Sequence, residues 1–437
     1  MKVAGVIAEF DPFHNGHAFF LRRVRELTSA DFIIAVMSGD FTQRGNIAIA
    51  GKRLRAEAAL KNGADIVIEL PVHFATATAE IFATGGVSLL DTLGCVDVLC
   101  FGTESDDIEL LKDLACVLGS ETETFKESLA THLKEGMSYP ASRMAAVIDA
   151  AEIQKEPVSG LTEDIVKELM SRPNNILAIE YMKALYRTGS DMDTLNVRRE
   201  AVDHDSVNTY GAYSSAGNIR QILKATHSLD AVGAYLPENT LPIMREHFDI
   251  DWPVFDDDMS SLMKYRLLME DETSLMQYAD MSTDLARRVI KRRPDFISVT
   301  QFTELIKSRN LTYTRISRAL LHTFLSVTKE DMRLFEHSHA ANGEGRGYLP
   351  DVGYIRILGF RKEASSLIDM IRESSGVPVI FRSAEYKKLL KKPYLRIFED
   401  GLRVSEIYNS IVKDIYGTDI TSDISAVAIA KDGLVLA

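Results

Sequence analysis

Two histidines three residues apart, His14 and His17, are the first side chains in this 437-residue chain whose types and spacing suggest chemistry. They stand in Gly5-Val-Ile-Ala-Glu9-Phe-Asp11-Pro12-Phe13-His14-Asn15-Gly16-His17. An apolar run ends there and a helical pattern begins. On a helix, a spacing of three puts both rings on one face. Gly16 removes a side chain between them, so phosphate oxygens can approach the backbone. A helix N-terminus adds unpaired N–H donors and the positive end of a dipole. Isolated, two such histidines fit an ordinary strand–turn–helix. A strand before them and a helix after them favour a phosphate-binding turn.

Other polar segments stand where further strands end. Ser38-Gly39-Asp40-Phe-Thr-Gln43-Arg44-Gly45 follows the second apolar run, and Gln43 and Arg44 can bind a carboxylate or phosphate. Phe101-Gly102-Thr-Glu104 follows the fourth, where Gly102 would let an adenine approach the backbone. Arg172-Pro-Asn174-Asn175 reads either as a helix cap or as a nucleotide contact. Ser214-Ser215-Ala-Gly217-Asn-Ile-Arg220 offers a serine-capped helix start with an arginine one turn on, suited to a second phosphate.

The elements that must position these groups alternate. Val3–Ala8, Phe32–Met37, Ile66–Leu70 and Val96–Phe101 read as buried strands, with helices at His14–Thr28, Lys52–Asn62 and Ala77–Leu93. Continuous apolar strands separated by helices predict a parallel sheet covered on both faces. Its ligand crevice lies at the C-terminal strand ends. Asp106 to about Thr188 reads as mostly helical, Leu195–Arg198 as one more strand and Ser214–Lys224 as a helix. The first domain is expected to span 1–225 and a mainly helical region 226–437, with helices at Asp284–Lys291 and Tyr313–Phe324 and short strands at Val379–Arg382 and Val427–Ala430. Gly343–Gly347 reads as a flexible loop or domain junction.

Composition narrows the classes. Fifty basic and 63 acidic residues give a net charge of −13, against a non-specific polyanion binder. The basic charge is local: nine basic and two acidic residues lie from Arg287 to Arg318, and six basic and one acidic from Arg382 to Arg396. The acidic run Asp256–Asp258 sits apart from both. The three cysteines, Cys95, Cys100 and Cys116, lack zinc-site spacing, so no metal ligands are expected and a reducing cytoplasm fits. The first apolar run is too short for a signal peptide, and no run of about 18 apolar residues predicts a membrane span.

His14-Asn-Gly-His17 resembles the HxGH signature of the nucleotidyltransferase superfamily. With Met37-Ser-Gly-Asp-Phe-Thr-Gln-Arg-Gly45, Gly63-Ala-Asp-Ile-Val-Ile-Glu-Leu-Pro71, Phe101-Gly-Thr-Glu104 and Pro173-Asn-Asn-Ile-Leu-Ala178, the chain resembles the bacterial tRNA(Met) cytidine acetate ligase family across residues 1–225, and again at Tyr313-Thr-Arg315-Ile-Ser-Arg318. The resemblance implies a Rossmann-like α/β nucleotidyltransferase domain followed by a largely helical C-terminal region that binds tRNA. It implies that acetate is activated with ATP, Mg²⁺ on the triphosphate, to acetyl-adenylate. The acetyl group then passes to N4 of the wobble cytidine of elongator tRNA(Met). His14 and His17 would stabilise charge at the α-phosphorus, as electrostatic groups rather than as nucleophiles or metal ligands.

ATP contacts implied by the resemblance are Ile7, Ala8, Glu9, Phe10, Asp11, Pro12, Phe13, His14, Asn15, Gly16, His17, Ala18, Phe19 and Phe20. Gly102, Asn174 or Asn175, Arg198, Arg199, Ser215 and Arg220 complete that set. Gly39, Asp40, Gln43 and Arg44 would form the acetate or phosphate loop. For tRNA, Arg292, Arg293, Lys307, Arg315 and Arg318 are the first candidates, with Lys291 and Arg309 in the same stretch and Lys387, Lys388, Lys391 and Lys392 next. Tyr313 can stack on a splayed base. Two departures from the family pattern stand out: Gly217 lacks a hydroxyl, and Arg199-Glu-Ala-Val-Asp-His204 replaces a glycine-rich stretch. Two rival readings share the N-terminal chemistry: an adenylyl- or cytidylyltransferase for a small phosphorylated acceptor, and a nucleotide-binding RNA chaperone without turnover. The length beyond residue 225 favours a large acceptor.

Overall fold

The computed structural model describes residues 1–120, 122–137, 139–153, 161–198, 213–308, 310–334, 352–426 and 429–437. Five parallel strands form the heart of the sheet: β1 (Val3–Ala8), β2 (Phe32–Ser38), β3 (Ile66–Leu70), β4 (Val98–Thr103) and β5 (Asp193–Arg198). Their spatial order is β5-β4-β1-β2-β3. The chain adds strands outward from β1, then returns to its other side with β4. That reversal, between β1 and β4, opens the crevice where ligands bind in such sheets.

The apolar runs are continuous because both faces are covered. Val3, Ile34, Val36, Ile66 and Ile68 enter one core with the helices Ala79–Thr92 and Pro173–Thr188. Ala4, Val6, Ile33, Ala35 and Val67 enter the opposite core with the helix Asn15–Thr28. Strand β4 starts two residues later than the apolar pattern suggests. Asp97, just before it, accepts the Val3 N–H at 2.6 Å and so ties the start of β1.

The C-terminal region extends the sheet: the expected short strands are met at Val379–Ile380 and Ile429–Lys431, while Ile355–Arg361 and Leu434–Leu436 are strands that the sequence pattern does not announce. β6 (Ile355–Arg361) pairs antiparallel with β3, and β9 (Leu434–Leu436) and β8 (Ile429–Lys431) continue the sheet beyond it. β7 (Val379–Ile380) pairs with β6. The rest of the described C-terminal region is largely helical. A third core joins the turn at Phe41 and Ile47 to residues 254–327 and to the long helix Tyr394–Tyr416. Arg199, the Glu200–His204 stretch, Arg309, the Gly343–Gly347 loop and residues 427–428 lie outside the described residues.

Behind the sheet's crevice is a buried cluster of charges. Lys52 Nζ lies 2.8 Å from Glu69 and 2.7 Å from Asp423, and it donates to Ser405 Oγ at 2.6 Å. Arg356, from β6, reaches Glu69 at 2.7 Å and Asp423 at 2.6 Å. Burial alone would raise the Asp423 carboxyl, but Lys52 and Arg356 outweigh it and hold the group well below the usual carboxylate range.

Candidate functional site

The turn after β1 is built to present the two histidines. Phe10 adopts a left-handed backbone (φ 50°), a conformation that costs a bulky residue on the order of 1–3 kcal/mol. Its buried ring packs 5.0 Å from Phe13 and 5.0 Å from His17, which offsets that strain. His14 caps the helix Asn15–Thr28: its Nδ1 accepts the Gly16 N–H at 3.0 Å. His17 Nδ1 accepts the His14 N–H at 3.3 Å, a reciprocal capping box. The rings stack with centroids 3.8 Å apart and planes at 26°. With both Nδ1 atoms accepting, each ring holds a proton on Nε2 and can act as a donor there.

The histidines line a cleft of about 1010 Å³. Ile7 to Asp11, Gly16, Phe19 and Phe20 line it with them. Pro12, Phe13, Asn15 and Ala18 support that wall from within the turn and helix; Asn15 donates to the Ala234 carbonyl at 3.0 Å. Across the cleft is a second helix N-terminus, Ala216–Thr226, capped by Ser215, whose hydroxyl accepts the Asn218 N–H at 3.1 Å. Arg220, one turn in, donates to the Asp11 carbonyl and lies 3.2 Å from the Asp11 carboxylate. Gly217 also lines the cleft. A Cβ there would come no closer than 3.9 Å to any side chain, so the missing hydroxyl reflects no lack of space.

Gly102, Asn174 and Arg198 line the same cleft. Arg198 pairs with Asp106 at the end of β5. The two asparagines part company. Asn175 is buried and accepts the Glu104 and Ser105 N–H groups at 2.9 and 3.2 Å, fixing the loop after β4. Asn174 hydrogen-bonds Glu104 and faces the cleft.

The loop after β2 divides in two. Gln43 and Arg44 line the cleft; the Gln43 amide reaches the Ala77 carbonyl at 3.1 Å. Gly39 and Asp40 lie behind it instead. A Cβ at Gly39 would fall 2.6 Å from Glu69 Oε1, so glycine is there to admit that carboxylate. Asp40 accepts the Lys52 N–H at 2.9 Å and the Ser405 hydroxyl at 2.8 Å within the buried charge cluster. Gly45 closes this loop in a left-handed conformation (φ 82°) against the helix Tyr313–Leu325, where a Cβ would lie 2.5 Å from the Arg318 backbone nitrogen. Gly45→Ala is expected to cost about 1–3 kcal/mol by overpacking, measurable by urea denaturation.

Three groups that the sequence does not point to as site residues also line the cleft. Asp256 accepts the Asn46 side chain at 2.6 Å and the Ile47 N–H at 3.0 Å, and burial pushes its carboxyl up to about 6. Thr300 sits beside it, held by Asp257. Tyr181 comes from the helix Pro173–Thr188. The run Asp256–Asp258 carried no sequence signal for the cleft, because the chain folds it back from the helical region.

The basic residues separate by environment. Arg293 donates to the Leu267 and Glu270 carbonyls at 3.1 and 2.7 Å, closing a helix end. Arg318 is nearly buried, 2.8 Å from Asp280. Arg292 pairs with Asp295 at 2.9 Å and Lys307 with Glu304 at 2.5 Å, both partly exposed. Arg315 is half-buried on the first turn of the helix Tyr313–Leu325. Lys387, Lys388, Lys391 and Lys392 are all exposed.

A five-stranded parallel core, paired imidazoles at the first strand–helix turn and a capped helix facing them define a nucleotidyltransferase. A family model described as HIGH Nucleotidyl Transferase matches residues 1–423. Curated relatives extend over nearly the whole chain. The tRNA(Met) cytidine acetate ligase of Thermoanaerobacter pseudethanolicus is 33% identical over 418 residues, 95% of this chain and 96% of that protein. The ligase of the same name from Acetivibrio thermocellus is 32% identical, covering 93% and 94%. Crystal structures of Thermotoga maritima TmcAL superpose with TM-scores of 0.87 for an apo form and 0.85 for a form bound with alpha-thio ATP. Each is 30% identical; the apo form covers 97% of this chain and 98% of that one, the bound form 98% of each. The chain belongs to the tRNA(Met) cytidine acetate ligase family.

Proposed function

We propose that this protein activates acetate with ATP and transfers the acetyl group to N4 of the wobble cytidine of elongator tRNA(Met). The observation that carries the reading is the stacked imidazole pair on the cleft floor, facing a second capped helix N-terminus. Together they make a cradle for a triphosphate. A carboxylate oxygen of acetate attacks the α-phosphorus and pyrophosphate leaves. His14, His17 and the helix end stabilise the charge that develops, and Arg220, Arg198 and Arg44 surround it with positive charge. The cytidine amine then attacks the acetyl carbonyl and AMP departs. Holding acetate and nucleotide together supplies, on the order of 7–11 kcal/mol, part of the barrier that a bimolecular encounter would face.

Mg²⁺ enters this reading with the nucleotide. Among the described residues no group of three or more His, Cys, Asp or Glu side chains is placed to cage a metal ion. The cleft carboxylates Asp11 and Asp256 already take protein donors. Residues 1–225 would hold ATP, while residues 226–437 would hold the RNA and close one side of the cleft through Asp256 and Thr300. Among the described residues no helix is long and apolar enough to cross a membrane, and a cytoplasmic location suits a tRNA substrate.

The test is ATP–pyrophosphate exchange with and without acetate, followed by acetyl transfer to elongator tRNA(Met). Exchange that requires acetate supports the proposal. Exchange without acetate would favour transfer of a nucleotidyl group to a small acceptor. For the RNA, the exposed lysines are the better contacts than Arg293 and Arg318, which are spent on internal partners. Replacing Lys391 and Lys392 together by alanine should weaken tRNA binding and lower the salt slope by about 2, whereas unchanged affinity would move the RNA elsewhere.

A further inference from the structure

Resting on that reading, we infer that Glu9 is the proton acceptor for the cytidine amine in the transfer step. Among the described residues, three carboxylates line the cleft: Glu9, Asp11 and Asp256. Asp256 takes Asn46 on one oxygen and the Ile47 N–H on the other. Asp11 takes the Ile49 N–H at 2.7 Å on one and Arg220 on the other. Glu9 Oε1 accepts the Gln43 N–H at 2.7 Å, and among the described residues no hydrogen-bond donor reaches Oε2. One oxygen therefore fixes the carboxylate while the other keeps its acceptor capacity.

Among the described residues, the remaining candidates lining the cleft are excluded by their own contacts. His14 and His17 use Nδ1 to accept backbone N–H groups, so Nε2 is already protonated. Tyr181 lies close enough to Glu9 to feel its charge, and burial, reinforced by that charge, keeps its phenol protonated far above neutral pH. Lys224 is paired with Asp257 at 3.0 Å. Glu9 also sits on the right element. It follows β1 directly, five residues before His14, so it shares the wall that the reacting phosphorus must face.

The surroundings suit a base rather than a permanent anion. Burial pushes the Glu9 carboxyl above its ordinary 4.5, and Asp11 adds to that; the Gln43 N–H, Arg220 and Arg44 oppose it. Arg55 donates to the Glu9 backbone carbonyl at 2.6 Å, not to its carboxylate. A base with a raised pKa takes a proton more readily from an aminium that forms as the bond closes. In the step, the N4–carbonyl carbon bond forms and the acyl carbon–oxygen bond to the adenylate breaks. AMP leaves with that electron pair, and the amine proton passes to Glu9 Oε2. Water then takes the proton from the cleft.

The experiment measures the two half-reactions separately on the full chain, for wild type, Glu9→Gln and Glu9→Asp. Glutamine keeps the bond from the Gln43 N–H and removes only the basic oxygen. The expected result is a loss of about 10²–10⁴-fold in single-turnover acetyl transfer, much larger than any loss in acetate-dependent exchange. The wild-type transfer rate should rise with pH through an acidic limb above 4.5, Glu9→Asp should retain a limb, and Glu9→Gln should lack one. Equal losses in exchange and transfer, or a transfer loss under tenfold with the limb intact, would overturn the assignment. Absence of acetate-dependent exchange in the wild type would instead overturn the acetate-ligase reading itself, and this role with it.

Discussion

His17→Ala lowers acetate-dependent ATP–pyrophosphate exchange by about 10²–10³-fold, the usual consequence of removing one donor aimed at developing charge. The same substitution deletes the acceptor for the His14 N–H and so removes half of the capping box. That structural part costs about 1 kcal/mol. Glutamine separates the two effects. At the third helical position a Gln side chain can reach back to the cap residue's N–H. His17→Gln should therefore recover most of the stability in urea denaturation while exchange stays low. If exchange recovers together with stability, the ring is a cap and not a donor to the reacting phosphate.

Lys52→Met is expected to destabilise the fold by about 3–5 kcal/mol. Lys52 is the cation within reach of Glu69, Asp423 and, at 3.7 Å, Asp40. Methionine fills much of the volume but leaves those carboxylates with Arg356 as their main compensation. Urea denaturation at neutral pH reads the effect, and a loss under 1 kcal/mol would show that water reaches the cluster. The cluster also sets an acid dependence. The folded-state pKa of Asp423 lies below its unfolded value near 4. Its stabilisation is therefore fully present above that unfolded value and is lost progressively as pH falls towards the folded one.

The first half of the fold is legible because its signals are local. Val3–Ala8 and Ile66–Leu70 are strands with the limits their apolar runs suggest, and His14 announces a helix by type and position. The paired histidines, Ser215 and Arg220 share that property: each motif carries its own element, and all of them line one crevice. β6 was hidden for the opposite reason. Ile355-Arg-Ile-Leu-Gly-Phe-Arg361 places Arg356 inside a buried strand, and only Glu69 and Asp423, far away in sequence, make that tolerable. Asp40 misleads in the same way. It follows β2 like a crevice residue, but Lys52 and Ser405 turn it inward. Asp256 and Thr300 reach the cleft through packing of the helical region, which no short window of residues encodes.

The late strands have a consequence for how the protein is made. β3 gains its outer neighbour only when residues 355–361 have emerged from the ribosome, and that neighbour is itself covered by residues 434–436. Until then β3 is an open edge, with Lys52 and Glu69 lacking Arg356 and Asp423. Open edges invite pairing with other chains. A fragment cut near residue 225 would keep that edge for good and should aggregate. In the intact chain, a nascent N-terminal half must wait until residues 355–361 have emerged, an interval in which chaperones that shield sheet edges would have their clearest task.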